Sequence, residues 1–162
     1  MMGSGKSTVG PLLAERLGGP FVDTDAAVEA AAGLSVADLF AREGEAGFRA
    51  RERAAIEAAA GQGAVVALGG GAVAQPGVLA RLREGGTLVY LRATLETLLA
   101  RVGSGAGRPL LEAADAPAAA LEALLAARAA YYESADLVID TDGRTPAEVA
   151  DEVARKLAEK NA

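Results

Sequence analysis

Residues 3–8, Gly-Ser-Gly-Lys-Ser-Thr, bring two glycines, an amine and three hydroxyls into one short stretch. They form the second half of the phosphate-loop pattern G-x-x-x-x-G-K-[ST], whose first glycine would fall one place before Met1. Gly3 and Gly5, on either side of Ser4, let backbone N–H groups turn toward phosphate oxygens. The helix expected from about Lys6 offers the positive end of its dipole. Lys6 can reach the β and γ oxygens of a nucleotide, and the Ser7 hydroxyl is placed to ligate Mg²⁺. A plain Gly-Ser turn capping an alanine-rich helix is the simpler alternative. The loop alone does not separate a kinase from a GTPase or a motor.

Other stretches offer acceptor chemistry. In residues 21–25, Phe-Val-Asp-Thr-Asp, the two acids alternate around Thr24. An extended chain would send the Asp23 and Asp25 carboxylates to the same side, at the carboxyl edge of a sheet where open α/β folds bind ligands. One could hold Mg²⁺ through water and the other accept a hydroxyl proton; acids at strand ends are also ordinary turn formers. Residues 44–53 group Phe48, Arg49, Glu52 and Arg53. An arginine beside an aromatic can grip a carboxylate and pack on a ring, or the set is a solvated face. Gly69-Gly70-Gly71 follows an apolar run and lets the backbone approach a ligand, unless it is only a flexible turn. Arg108 sits among glycines and before Pro109, as expected of a lid that carries a guanidinium onto a phosphate when it closes, or of a surface loop. Arg128 and Tyr131 fall on the next helix.

The elements that must position these groups follow from periodicity. Buried strands are predicted at residues 20–23, 64–68, 87–91 and 137–140. Helices are predicted at 6–17, around Leu39 and Phe40 after the Ser35/Asp38 capping pair, and at 45–60, 76–82, 95–101, 116–132 and 145–160. Alternation of this kind implies an α/β fold with a parallel sheet covered by helices. At 162 residues and 51% apolar, the chain suits one domain with a real core, and no internal repeat appears. The formal charge of −6 gives no broad attraction to nucleic acid or anionic membrane. The absence of cysteine and histidine excludes disulfides, thiolate metal sites and His-based triads. No apolar run is long enough to span a bilayer, and a cytoplasmic protein is expected.

Taken together, "MGSGKSTVG", "FVDTD", "GEAGFRARE", "ALGGG", "GRPLL" and "ARAAYYESAD", in that order, resemble the shikimate kinase family, small P-loop kinases of the nucleoside monophosphate kinase type. The resemblance implies a three-layer fold, a parallel sheet flanked by helices, with a mobile lid at about 103–116 and an acceptor region at about 23–60. It implies one domain over residues 1–162, and transfer of the γ-phosphoryl of ATP to the 3-hydroxyl of shikimate, with Mg²⁺ as cofactor. Asp25 would bind the acceptor hydroxyls and act as base. Arg49 and Arg128 would hold the shikimate carboxylate, Gly70 and Gly71 would line that pocket, and Phe40 and Phe48 would pack beside the ring. Lys6 and Arg108 would stabilise charge on the phosphoryl group, while Ser7 and Asp23 position Mg²⁺. Gly3, Ser4, Gly5 and Thr8 complete the nucleotide loop, and Arg101, Arg144 and Pro146 would border the adenine. A monomer is expected. A related small-molecule kinase such as gluconate kinase, or a non-catalytic nucleotide-binding remnant, are the alternatives. In the family a central strand precedes the loop, and the first strand of that sheet is missing from these 162 residues. Met2 then reads as an internal loop residue of a longer reading frame, and the chain as given is expected to fold poorly and bind ATP weakly.

Overall fold

The computed structural model describes residues 1–60, 62–103 and 116–160. Helix α1, Lys6–Leu17, starts at Gly5 and stops at Gly18, both in the left-handed region that favours glycine (φ 96° and 66°). Strand β1, Phe21–Asp23, leads directly into α2, Thr24–Ala32. The Asp23 side chain accepts hydrogen bonds from the N–H groups of Asp25 (3.0 Å) and Ala26 (3.3 Å), so it is the N-cap of α2. The Asp-Thr-Asp stretch is therefore not extended throughout. Capping satisfies two otherwise orphaned donors, and Asp25 reaches the site from a first helical turn.

Helix α3, Val36–Ala59, joins the two helices predicted for this stretch across a kink at Gly44, where φ is 69° and ψ −179°. Ser35 caps it through the N–H of Asp38 at 3.1 Å, as predicted. Strand β2 covers Val65–Ala67, and the glycine turn that follows runs into a short 3₁₀ helix, Ala72–Ala74. Then come α4 (Val78–Gly85), β3 (Val89–Arg92), α5 (Leu95–Val102), α6 (Pro117–Glu133), β4 (Leu137–Asp140) and α7 (Pro146–Lys160). The predicted lid, Arg108 included, lies outside the described residues apart from its ends.

The strands form two parallel pairs. β1 runs beside β2 with Phe21 opposite Val65, and β3 beside β4 with Val89 opposite Leu137. Among the described residues no ladder joins one pair to the other. Side chains join them instead. Val9 and Leu13 of α1 pack with Leu91, Ile139, Val149 and Val153, and Val65 and Val89 rest on that same cluster. A second cluster brings Met1, Tyr90, Leu98, Leu121 and Tyr132 together, with the Tyr90 and Tyr132 rings stacked 5.1 Å apart. A third holds Val28, Leu39 and Phe48 against Phe40. Leu39, Leu98 and Leu121 are almost wholly buried, which contributes roughly 1.5–3 kcal/mol each. These clusters fix the loops at the carboxyl ends of the strands.

Candidate active site

The phosphate-loop residues Gly3, Ser4, Gly5, Lys6, Ser7 and Thr8 line a cavity of about 420 Å³. Asp23, Asp25, Gly70, Arg101, Arg144 and Pro146, drawn from four separate parts of the chain, line it too. Gly3, with φ 73°, also lies close to α5: a Cβ there would stand 2.8 Å from Val102 Cγ2. Lys6 Nζ donates to the carbonyl of Met1 at 2.5 Å, beside a bond to the same oxygen from Ser4 Oγ at 2.8 Å. Ser7 Oγ donates to Asp23 Oδ2 at 2.7 Å. A hydroxyl and a carboxylate in contact form a hard-oxygen pair, the donor type that suits Mg²⁺. Among the described residues no group of three or more acidic side chains could hold a metal by itself.

On the nucleotide side, Arg101 donates to the hydroxyl and the carbonyl of Thr141, both at 3.0 Å, and reaches Gly3 O at 3.5 Å. Arg144 donates to the carbonyls of Asp140 and Glu148, both at 3.0 Å, and pairs with Glu152. Pro146 opens α7 beside them.

The acceptor side is organised by the glycine triplet. A Cβ on Gly69 would stand 2.0 Å from Glu52 Oε1 and 2.7 Å from Asp25 Oδ1. One on Gly70 would lie 3.8 Å from Arg128 Nη1, and one on Gly71 only 2.3 Å from Arg49 Nη2. Two carboxylates and two guanidiniums therefore converge on three consecutive residues that have no side chain to obstruct them. The turn is pinned by Gly69 N–H donating to Thr24 Oγ1 at 3.0 Å and by Tyr132 Oη donating to Gly70 O at 2.5 Å. Arg49 sits 5.3 Å over the Phe48 ring, whose centroid is 4.9 Å from that of Phe40. Phe40, Phe48, Arg49, Gly71 and Arg128 do not line the phosphate cavity; Arg49 and Arg128 approach it at this turn, and the two rings stand behind Arg49.

Burial, then the charge of Glu52 and that of Asp23, pushes the Asp25 carboxyl up to about 6. Its Oδ1 and Glu52 Oε1 are buried without a hydrogen-bond donor among the described residues. A carboxylate raised in this way, facing an open cavity, is equipped to take a proton from a hydroxyl. Sequence reasoning named Glu52 only as a neighbour of Arg49 and missed Thr24, Gln75, Tyr132 and Thr141. The i, i+3 spacing of Arg49 and Glu52 was a usable signal; the others contact the site across long stretches of chain.

A lysine-bearing loop at a helix start, with a hydroxyl–carboxylate pair beside it and two carboxylates and two arginines gathered at an adjoining glycine turn, has the parts of a small P-loop kinase. Comparison with known proteins narrows the class. The sequence profile of the shikimate kinase family matches residues 2–158. The shikimate kinase of Symbiobacterium thermophilum is 51% identical over 164 residues, covering 99% of this chain and 94% of that protein. That of Salinispora arenicola is 52% identical over 158 residues, covering 96% and 93%. The structure of the Acinetobacter baumannii shikimate kinase in complex with shikimate superposes with a TM-score of 0.93 at 35% identity, covering 98% of this chain and 89% of that one. The Aquifex aeolicus enzyme gives 0.85 at 33%, covering 99% and 94%. The chain belongs to the shikimate kinase family.

Proposed function

We propose that this chain, acting as one domain, transfers the γ-phosphoryl group of ATP to the 3-hydroxyl of shikimate, yielding shikimate 3-phosphate and ADP on the route to chorismate and the aromatic amino acids. The observation that supports this is the convergence of Arg49 and Arg128 on Gly71 and Gly70, next to Asp25 at Gly69, with Asp25 and Lys6 lining one cavity. A small hydroxylated acid needs cations for its carboxylate and a base for its hydroxyl, and the glycine turn gathers both types of group.

In this reading Arg49 and Arg128 bind the acceptor carboxylate, Gly70 and Gly71 give its ring room, and Phe40 and Phe48 form an apolar wall. Asp25 binds the hydroxyls and takes the proton as the new O–P bond forms and the bond to the β-phosphate oxygen breaks. Lys6 and Arg108 bear on the charge of the transferring group, with Gly3, Ser4, Gly5 and Thr8 supplying the cradle. Ser7 and Asp23 would hold Mg²⁺, which when bound spreads the negative charge of the phosphates. Arg101, Arg144 and Pro146 flank the base of the nucleotide. The same reading takes the enzyme as a cytoplasmic monomer; no helix among the described residues is long and apolar enough to cross a membrane.

The test is ADP release by the purified chain with Mg-ATP and shikimate, gluconate or no acceptor. Release that depends on shikimate is expected. Release with gluconate alone, or none with shikimate, would overturn the reading.

A further inference from the structure

Glu52 is completely buried, and its two carboxylate oxygens have different surroundings. Oε2 accepts from Arg49 Nη1 at 2.8 Å and from the side-chain amide of Gln75, Nε2, at 2.7 Å. Among the described residues Oε1 has no donor, and it points to the place beside Gly69 where Asp25 Oδ1, likewise without a donor among them, is found. Two buried carboxylates facing one another repel, so Glu52 is under a force that would rotate or withdraw it. The donors on Oε2 oppose that force. One of them is Arg49, the group whose own orientation needs fixing. Gln75 is the other, anchored by a different element, just past the 3₁₀ helix that follows the glycine turn.

Arg49 is held unequally at its two edges. Its Nε and Nη2 reach Glu45 Oε1 at 3.3 and 3.1 Å, and the Glu45 side chain is 55% exposed, so water and ligands can compete for that edge. Nη1 is held by Glu52, at 0% exposure. The rigid edge therefore decides where the exchangeable edge points.

We propose that Gln75 is a positioning residue: by holding Glu52 Oε2 it fixes the Arg49 guanidinium against Gly71 and so sets the affinity for the carboxylate of the acceptor. This rests on the reading of Arg49 given above. Gln75 does not line the cavity, and its effect belongs to acceptor binding rather than to phosphoryl transfer.

Gln75→Met keeps the length of the side chain and removes its donors; Gln75→Ala removes both length and donors. For each folded variant the KM values for acceptor and ATP, kcat, and the Arg49 Nε–Hε NMR signal of the ligand-free protein are measured. Gln75→Met should raise the acceptor KM by about five- to tenfold, the scale of one weakened charge-assisted hydrogen bond. The ATP KM should stay unchanged, kcat should stay within about twofold, and the Arg49 signal should broaden through faster guanidinium rotation. Wild-type values of acceptor KM and of the Arg49 signal in Gln75→Met would overturn the proposal, even if Gln75→Ala were impaired by lost packing. If wild-type protein released no ADP with shikimate, the functional reading would fail, while the Arg49 signal would still decide the relay from Gln75 to Glu52.

Discussion

The two ends of the cavity hold charge in opposite ways. At the acceptor end, charged side chains lie inside the protein: Glu52 is wholly buried, Arg128 is 8% exposed, and two carboxylate oxygens go without donors. At the nucleotide end, Arg101 and Arg144 are tied to main-chain carbonyls, and nearby Arg92 makes a forked pair with Asp140 (2.6 and 3.0 Å) in open solvent. Desolvated charges are costly to leave unmatched, so the acceptor end penalises any ligand that fails to complete it. The more solvated arginines impose little penalty, which suits the proposed contact with a nucleotide that many P-loop proteins share. Selectivity is concentrated where burial makes a wrong partner expensive.

That contrast can be broken by substitution, and the largest effect is expected at Asp25. Asp25→Asn should lower kcat by about 10²–10⁴-fold, the range for loss of a general base, with nucleotide affinity retained in equilibrium titration. Because burial and Glu52 raise the Asp25 pKa to about 6, the folded protein binds a proton there more readily than the unfolded chain does. Stability from this group is thus gained as pH falls below about 6 and lost as pH rises through it. Asp25→Asn should accordingly melt higher than wild type at pH 8, and a lower melting point there would contradict buried repulsion as the cause. In the wild type, kcat/KM should fall on the acid side of about pH 6 as the base becomes protonated.

Arg49→Leu comes next. It removes acceptor affinity and leaves Glu52 as a buried charge missing one of its two donors, for which about 3–5 kcal/mol of stability loss is expected in denaturant titration. Combining it with Glu52→Gln should restore much of the stability without restoring acceptor binding. Gly71→Ala is subtler: its Cβ would meet Arg49 Nη2 at 2.3 Å and displace the guanidinium. It should raise the acceptor KM about tenfold or more while the ATP KM holds, reflecting loss of one well-placed charged contact. Arg92→Gln should be smallest, with melting temperature and both KM values unchanged, since its pair with Asp140 is solvated and screened. A large effect there would erase the difference between the two ends.

Much of this was legible in the sequence, for physical reasons that also explain the gaps. The phosphate loop is local, and the helix boundary at Gly5 is dictated by the residues themselves. Four strands announced themselves as apolar runs, and β4 fell on its predicted residues. The alternation of Asp23 and Asp25 was read as a strand because period-two patterning and an N-cap look alike over three residues. The cap prevailed because it satisfies two backbone donors at once. Gln75 carried no signal at all: its partner lies 23 positions away, and a polar residue next to proline ordinarily reads as loop. Arg108 was assigned a role by resemblance, and it lies outside the described residues.

Helix α1 has a consequence for how the phosphate end of the cavity is steered. Val9 and Leu13 are packed into the cluster that also holds Leu91, Ile139, Val149 and Val153, and the phosphate loop is the turn that opens that same helix. Any change that shifts α1 on this cluster carries Lys6 and Ser7 with it, so a methyl group lost at Leu13, remote from every reacting atom, is a lever on where the phosphate cradle points.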